Sequence, residues 1–165
     1  MIEIRPATDD DIEGIWPIFH QVVSGGDTYP YPSDTDRDDA ISIWVTSKSW
    51  TFVAIENGFL TGTYFLDPNV SGRGSHIANA GFMVDRACQG RGIGRSMLRH
   101  SLVEAVAKGF RGMQFNLVVS TNVAAVALWK REGFHIVGAL PCAFRHAQEG
   151  LVDAYVMFRS LDDIH

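Results

Sequence analysis

The stretch Met83-Val-Asp-Arg-Ala-Cys-Gln-Gly-Arg-Gly-Ile-Gly-Arg constrains the fold more than any other part of the chain. An apolar run, 77–84, leads into it and reads as a strand. A helical pattern leads out, with Ile93, Met97, Leu98, Leu102, Ala105 and Val106 on one face and a stop at Gly109. Gln89, Gly92 and Gly94 therefore sit in a tight strand-to-helix turn. Glycine there lets backbone N–H groups point outward with no side chain in the way. Such amides, with the start of a helix behind them, make an anion site suited to a pyrophosphate. Similar turns serve dinucleotides and nucleoside triphosphates. This one lacks the Gly-x-x-x-x-Gly-Lys-Ser/Thr pattern of a P-loop, and Arg95 stands where a dinucleotide fingerprint has its third glycine.

The charge pattern agrees with a small anion held at one place. The net charge of −5 argues against general affinity for nucleic acid. Residues 1–40 carry ten acids against Arg5 and Arg37, so that segment is −8 and the remainder +3. Arg86, Arg91, Arg95 and Arg99 lie around the turn and account for much of the positive part. The acids read as first-turn residues of helices, where the macrodipole favours them.

A length of 165 residues, 46% of them hydrophobic, predicts a single domain over 1–165 and excludes a disordered chain. No apolar run approaches the ~18 residues that span a bilayer, and the start shows no signal-peptide pattern. Cys88 and Cys142 fit neither a disulfide framework nor zinc spacing. The expectation is a cytoplasmic protein with no metal and no membrane partner. Ile2–Pro6 reads as a short strand, followed by a helix to about Val23 that Pro17 should kink or break. Ser24–Ser33 is a loop, and a second helix starts near Asp36. Asn57-Gly58 joins strands 51–56 and 59–66 in a hairpin. Residues 67–75 read as a mobile loop, 114–120 as a strand and 122–132 as a helix, with closing strands at 134–140 and 152–158. The order β-α-α-β-β-β-α-β-α-β-β predicts an α/β (α+β) domain with a mixed sheet of six to seven strands and helices on both faces.

Gln-x-x-Gly-x-Gly after an apolar strand resembles the acyl-CoA loop of the GNAT superfamily of N-acetyltransferases. Asn122, Ala125, Leu128 and Gly133-Phe134 are similar to that family's following segment, at the right separation. The resemblance implies a splay between the strands at 77–84 and 114–120, with the pantetheine arm of acetyl-CoA paired to backbone of Phe82–Val84 like an added strand. It implies that the turn of Gln89, Gly90, Arg91, Gly92 and Gly94, with Arg95, holds the pyrophosphate, and that Asn122 bonds the pantetheine or thioester side. A backbone N–H near Met83 would then donate to the thioester carbonyl as it gains charge. The rest of the rate would come from proximity during direct attack by an amine. Trp129 stands where the family often has a tyrosine that protonates the leaving thiolate, so that acid is missing here.

A narrower resemblance, over about 74–158, is to the yeast N-acetyltransferases that act on proline analogues such as azetidine-2-carboxylate. Asn79 and Asn116 matter in it. Each is an amide inside an apolar strand, where it needs partners at a cost of about 1–3 kcal/mol if left without them. They either bond each other and the backbone across the splay, or face the cleft. By resemblance they hold the carboxylate of a small amino or imino acid and position its nitrogen. Tyr29 and Tyr31, in a loop restricted by Pro30 and Pro32, would enclose such an acceptor. The alternatives are another small toxic amine, such as a phosphinothricin-like amino acid, or an acyl-CoA-binding sensor without turnover. The family also makes a homodimer possible.

Overall fold

The computed structural model describes residues 1–46 and 48–164. Strand β1 (Ile2–Pro6) ends at its proline, and a 3-10 turn, Asp9–Asp11, leads into helix α1 (Ile12–Val23). Pro17 does not break α1. It removes one backbone donor near the helix start, while Ile15, Ile18, Phe19 and Val23 bury the opposite face. Helix α2 (Arg37–Trp44) starts at Asp36, whose side chain accepts from the Asp39 N–H at 2.9 Å. Strands β2 (Trp50–Glu56) and β3 (Phe59–Pro68) meet at Asn57 and Gly58, with φ of 53° and 81°. This left-handed pair suits the turn to the twist of the strands. β4 (Ile77–Val84), α3 (Ile93–Ala107), β5 (Gly112–Val119) and α4 (Val123–Arg131) follow, then β6 (His135–His146) and β7 (Gly150–Ser160).

The sheet has seven strands in the order β1-β2-β3-β4-β5-β7-β6. β4 and β5 are parallel and pair only at Ile77–Gly112 and Ala78–Met113. Beyond that point they part, so the expected splay is present. β5 also carries an irregularity against β7 between Phe115 and Val118, which leaves Asn116 and Leu117 unpaired and bends the strand. Helices cover both faces. Ile93, Met97, Leu98 and Leu102 of α3 bury against Tyr64, Leu66, Ala78 and Ala80 on one face. Ile15, Phe19 and Trp44 of α1 and α2 bury against Val53 and Met83 on the other.

Two segments differ from expectation. Asp67 and Pro68 belong to β3, because they pair with Asn79 and Ala78 of β4. β6 and β7 run to residues 146 and 150 and form a long hairpin. Its tip reaches back to the loop after α1, where the Ala147 N–H donates to Gly26 O at 2.9 Å. A Cβ on Gly26 would stand 2.9 Å from the Ala147 side chain, so that approach needs glycine.

The acidic first segment is used as helix and turn starts. Asp11 accepts both Arg5 guanidinium nitrogens at 2.7 and 2.8 Å and the Thr8 N–H at 2.7 Å. The Arg5 bonds hold its carboxyl down at about 2, against the opposing effect of burial. A depressed native value contributes stability above the unfolded value of about 3.9 and loses it as pH falls through the native one. Asp11→Asn is therefore expected to cost roughly 1–2 kcal/mol at pH 7, with most of that gap closed near pH 2. Urea unfolding at the two pH values measures this.

Candidate functional site

A cleft of about 930 Å³ opens where β4 and β5 part. It runs from the loop after α1, past the parted strands, to the glycine turn before α3. At the turn end, Gly90 and Gly92 have φ of 74° and 83°, and nothing lies within 4 Å of where a Cβ would stand on either. Gly92 is the residue preceding α3, so the free amides of its first turn open onto this space. The turn thus leaves room for an anion where any other residue would place a side chain. Gln89, Gly90, Gly92, Gly94 and Arg95 all line the cleft.

The arginines are less free than the sequence suggested. Arg91 turns away to Glu56 at 2.5 Å and does not line the cleft, so only its backbone belongs to the turn. Arg95 and Arg99 share Glu132 through their Nε atoms at 2.6 and 3.0 Å. Burial would raise the Glu132 carboxyl, but the two arginines outweigh it and hold it low. More than half of the Arg95 side chain remains exposed, so it can still meet a phosphate. Arg131, which sequence reasoning did not single out, lines the cleft mouth from the end of α4 and has no ion-pair partner among the described residues.

In the middle of the cleft, backbone polarity decides what a ligand can reach. The Phe82 N–H donates to the Tyr29 hydroxyl at 2.7 Å, and that hydroxyl donates to Phe82 O at 2.8 Å. The Asp85 N–H instead donates to Thr61 O on β3. Backbone groups of a strand alternate between its two edges. Met83 therefore turns its N–H to β3 with Asp85, while Ala80, Phe82 and Val84 face the gap. The Met83 N–H, named above as the expected donor, thus turns into the sheet, and the neighbouring N–H that faces the gap is that of Phe82; the Met83 side chain is buried against α1 and α2. Asn122 lines the gap from the other side, with its Oδ1 spent on the Ala125 N–H at 3.3 Å, so its amide nitrogen is the end left for a ligand.

Trp129 also lines the cleft, packed on Phe82 and Phe115 with ring centres 5.4 and 5.1 Å away. This is packing, and an indole is no proton donor to a thiolate. Trp129→Phe is expected to keep turnover within about threefold of the parent, measured by thiol release.

At the far end, polar side chains converge. Asn116 donates to Asn69 Oδ1 at 2.7 Å, and Asn79 reaches the same oxygen at 3.4 Å. Gln114 donates to Asn116 Oδ1 at 2.9 Å. The two predicted amides are thus brought together, by a third that lies in the segment read as a mobile loop. Tyr29 and Tyr31 stack with centroids 5.8 Å apart, Tyr31 on Phe19 and Tyr29 against Trp44. Their loop is a packed roof. Burial pushes both phenols up, with the Asp67 charge adding to the effect at Tyr31. Thr28 Oγ1, in the same loop, is buried with no hydrogen-bond partner among the described residues, and Thr28 lines the cleft. Among the described residues no cluster of His, Cys, Asp or Glu suits a metal ion, and no helix is long and apolar enough to cross a membrane.

Comparison with known proteins gives this geometry its relatives. The sequence pattern of the acetyltransferase (GNAT) family matches residues 16–134. The chain is 41% identical over 136 residues to the N-acetyltransferase aca1 of Schizosaccharomyces pombe, covering 80% of this chain and 62% of that protein. The chain thus spans less than two thirds of that relative. It is 30% identical to the L-amino acid N-acetyltransferase AaaT of Escherichia coli, over 96% of this chain and 97% of that one. The structure of a GCN5-related N-acetyltransferase from Kribbella flavida superposes with a TM-score of 0.92 at 40% identity, over 96% of this chain and 97% of that one.

Proposed function

The chain belongs to the acetyltransferase (GNAT) family, and on that premise we propose that it acetylates the nitrogen of a small amino or imino acid. As a member it is an acyl-CoA-dependent N-acetyltransferase, with acetyl-CoA as the acyl donor. The finer reading concerns the acceptor. What carries it is the convergence of Asn79 and Asn116 on Asn69, in a cleft that Tyr29 and Tyr31 also line. The Asn79 and Asn116 amide nitrogens each keep a second hydrogen beside the one directed at Asn69, and two such donors suit one small carboxylate. The resemblance to an L-amino acid N-acetyltransferase supports the same class. We read residues 1–165 as one acetyltransferase domain.

Each part of the cleft has a task in this reading. The amides of Gln89–Gly94 and the exposed Arg95 and Arg131 guanidinium groups hold the phosphates of the donor. The Val84 backbone pairs with the pantetheine arm. The Phe82 N–H donates to the thioester oxygen, a bond worth about 10²–10³ in rate when lost. Tyr29 must release that N–H for the purpose. Asn79 and Asn116 fix the acceptor so that its nitrogen meets the acetyl carbon, which is the proximity part of the rate.

The test is release of free thiol from acetyl-CoA with a panel of amines. Release with azetidine-2-carboxylate, proline or other small amino acids, and none with peptides, is expected. Release confined to phosphinothricin-like amino acids shifts the acceptor class. Tight acetyl-CoA binding with no release across the panel makes the chain a sensor and overturns the reading.

A further inference from the structure

A carboxylate that none of the tasks above uses stands beside the three amides. Asp67 lies directly opposite Asn79 in the β3–β4 register. Side chains at directly opposed positions of an antiparallel pair share a face. Asn79 lines the cleft, and so does Phe65, which precedes Asp67 on the same face by one pleat. Asp67 is therefore on the face that carries the roof, near enough for its charge to act on Tyr31, and sits behind Asn79 and Phe65 rather than in the cleft lining itself. Its neighbours in the cluster, Asn69, Asn79 and Asn116, carry no charge. Tyr31 is the titratable group that feels it from the roof. Among the described residues Asp67 forms no ion pair. Asp27, the acid that lines the cleft, forms no ion pair among the described residues either, but its Oδ1 and the Arg86 guanidinium both lie close to the position a Cβ would take on Gly25.

Resting on the reading of the chain as an amino acid N-acetyltransferase, we propose that Asp67 accepts the acceptor's proton, through water, as its nitrogen attacks. Chemistry requires such a group. Small amino and imino acids carry a protonated nitrogen near neutral pH, and that form has no lone pair to attack with. Phe82 lies three positions beyond Asn79, about 10 Å along the strand, so Asp67 reaches a nitrogen at the Phe82 end through bridging water. The amides of Asn69, Asn79 and Asn116 supply the polar partners that hold such water. Burial pushes the Asp67 carboxyl up to about 6, so it is ionised at neutral pH yet basic enough to take a proton. The step balances. One proton of the acceptor ammonium passes to Asp67. The nitrogen–carbon bond forms as the carbon–sulfur bond breaks. A second proton leaves the nitrogen and ends on the departing sulfur as thiol, and Asp67 returns its proton to solvent.

The experiment is the pH profile of kcat/KM for the amino acid acceptor, by thiol release, in the parent and in Asp67→Asn, Asp67→Glu and Asp27→Asn. In the parent the profile is expected to be level from about 7 to the acceptor's own pKa, because the ammonium is used as it comes, and to fall about tenfold per pH unit below about 6. Asp67→Asn should lose the level region. Only pre-formed free amine then reacts, so the rate climbs about tenfold per unit across the same range and is about a hundredfold below the parent at pH 7. Asp67→Glu should restore part of the level region, and Asp27→Asn should keep the parent's profile shape whatever its rate. Acetyl-CoA affinity of Asp67→Asn, by calorimetry, should stay within about twofold. A level profile retained in Asp67→Asn, its loss in Asp27→Asn instead, or acetyl-CoA binding lost in step with turnover overturns the assignment. A parent protein that binds acetyl-CoA and releases no thiol with any amine overturns the functional reading itself, which is a different result.

Discussion

Gly92→Asp should lose acetyl-CoA binding by about a thousandfold while the protein still folds. Two effects meet at this position. Gly92 has φ of 83°, and a non-glycine residue there costs about 1–2 kcal/mol of backbone strain. The space around it is open, so nothing in the protein clashes with the new side chain. The carboxylate instead stands in the room left for the pyrophosphate. Two unit charges about 4 Å apart repel by about 4 kcal/mol at a surface-like effective dielectric, which is close to three decades of affinity. Gly58→Asp separates the effects. Gly58 has φ of 81°, equally open surroundings and a place in the β2–β3 turn, outside the cleft. It should share the loss of stability and keep acetyl-CoA affinity near the parent's. Calorimetric titration with CoA measures both. Equal affinities in Gly92→Asp and the parent would remove the phosphates from this turn.

The position of the turn was legible because its signal is local. Gln89–Gly94 needs only a strand before it and a helix after it, and both announce themselves by periodicity. Asn57-Gly58 is legible for the same reason. Asn79 and Asn116 stood out as amides inside apolar runs, which is again a property of short segments. What stayed hidden depends on register between distant segments. Asp67 looks like a loop residue until Asp67 and Pro68 are seen to pair with Asn79 and Ala78. Asn69 has no signal of its own, and its role rests on a bond to Asn116, 47 residues away. The Tyr29–Phe82 bond spans 53 residues. Glu56 and Glu132 quench the arginines of the turn from elements that periodicity alone does not bring near it. Which of Met83 and Phe82 turns its N–H to the gap is the finest of these points and the most instructive. A strand reverses the direction of its backbone groups at each residue, so a placement wrong by one points the donor into the sheet instead of the cleft.

Asn116→Ala tests the other end of the cleft, and its expected effect falls on the acceptor alone. Asn116 lies at the irregularity in β5 where pairing with β7 lapses, and its side chain is held at both ends, by Gln114 at Oδ1 and by Asn69 at Nδ2. That fixes the orientation of the amide before any acceptor arrives. Truncation removes a hydrogen bond to a charged carboxylate, worth about 2 kcal/mol, or roughly thirtyfold in kcat/KM for the acceptor. It also leaves Asn69 Oδ1 with only its long bond to Asn79, so the three amides should behave as a unit. Asn69→Ala should then cost nearly as much as Asn116→Ala, and the double variant little more than either. Because Asn116 is exposed, stability should change by less than about 0.5 kcal/mol, and acetyl-CoA affinity should stay within about twofold. Equal losses for donor and acceptor would make Asn116 part of the cofactor channel. Additive losses in the Asn69–Asn116 pair would mean the two amides serve different ligands, and the shared oxygen at 2.7 Å would be packing only.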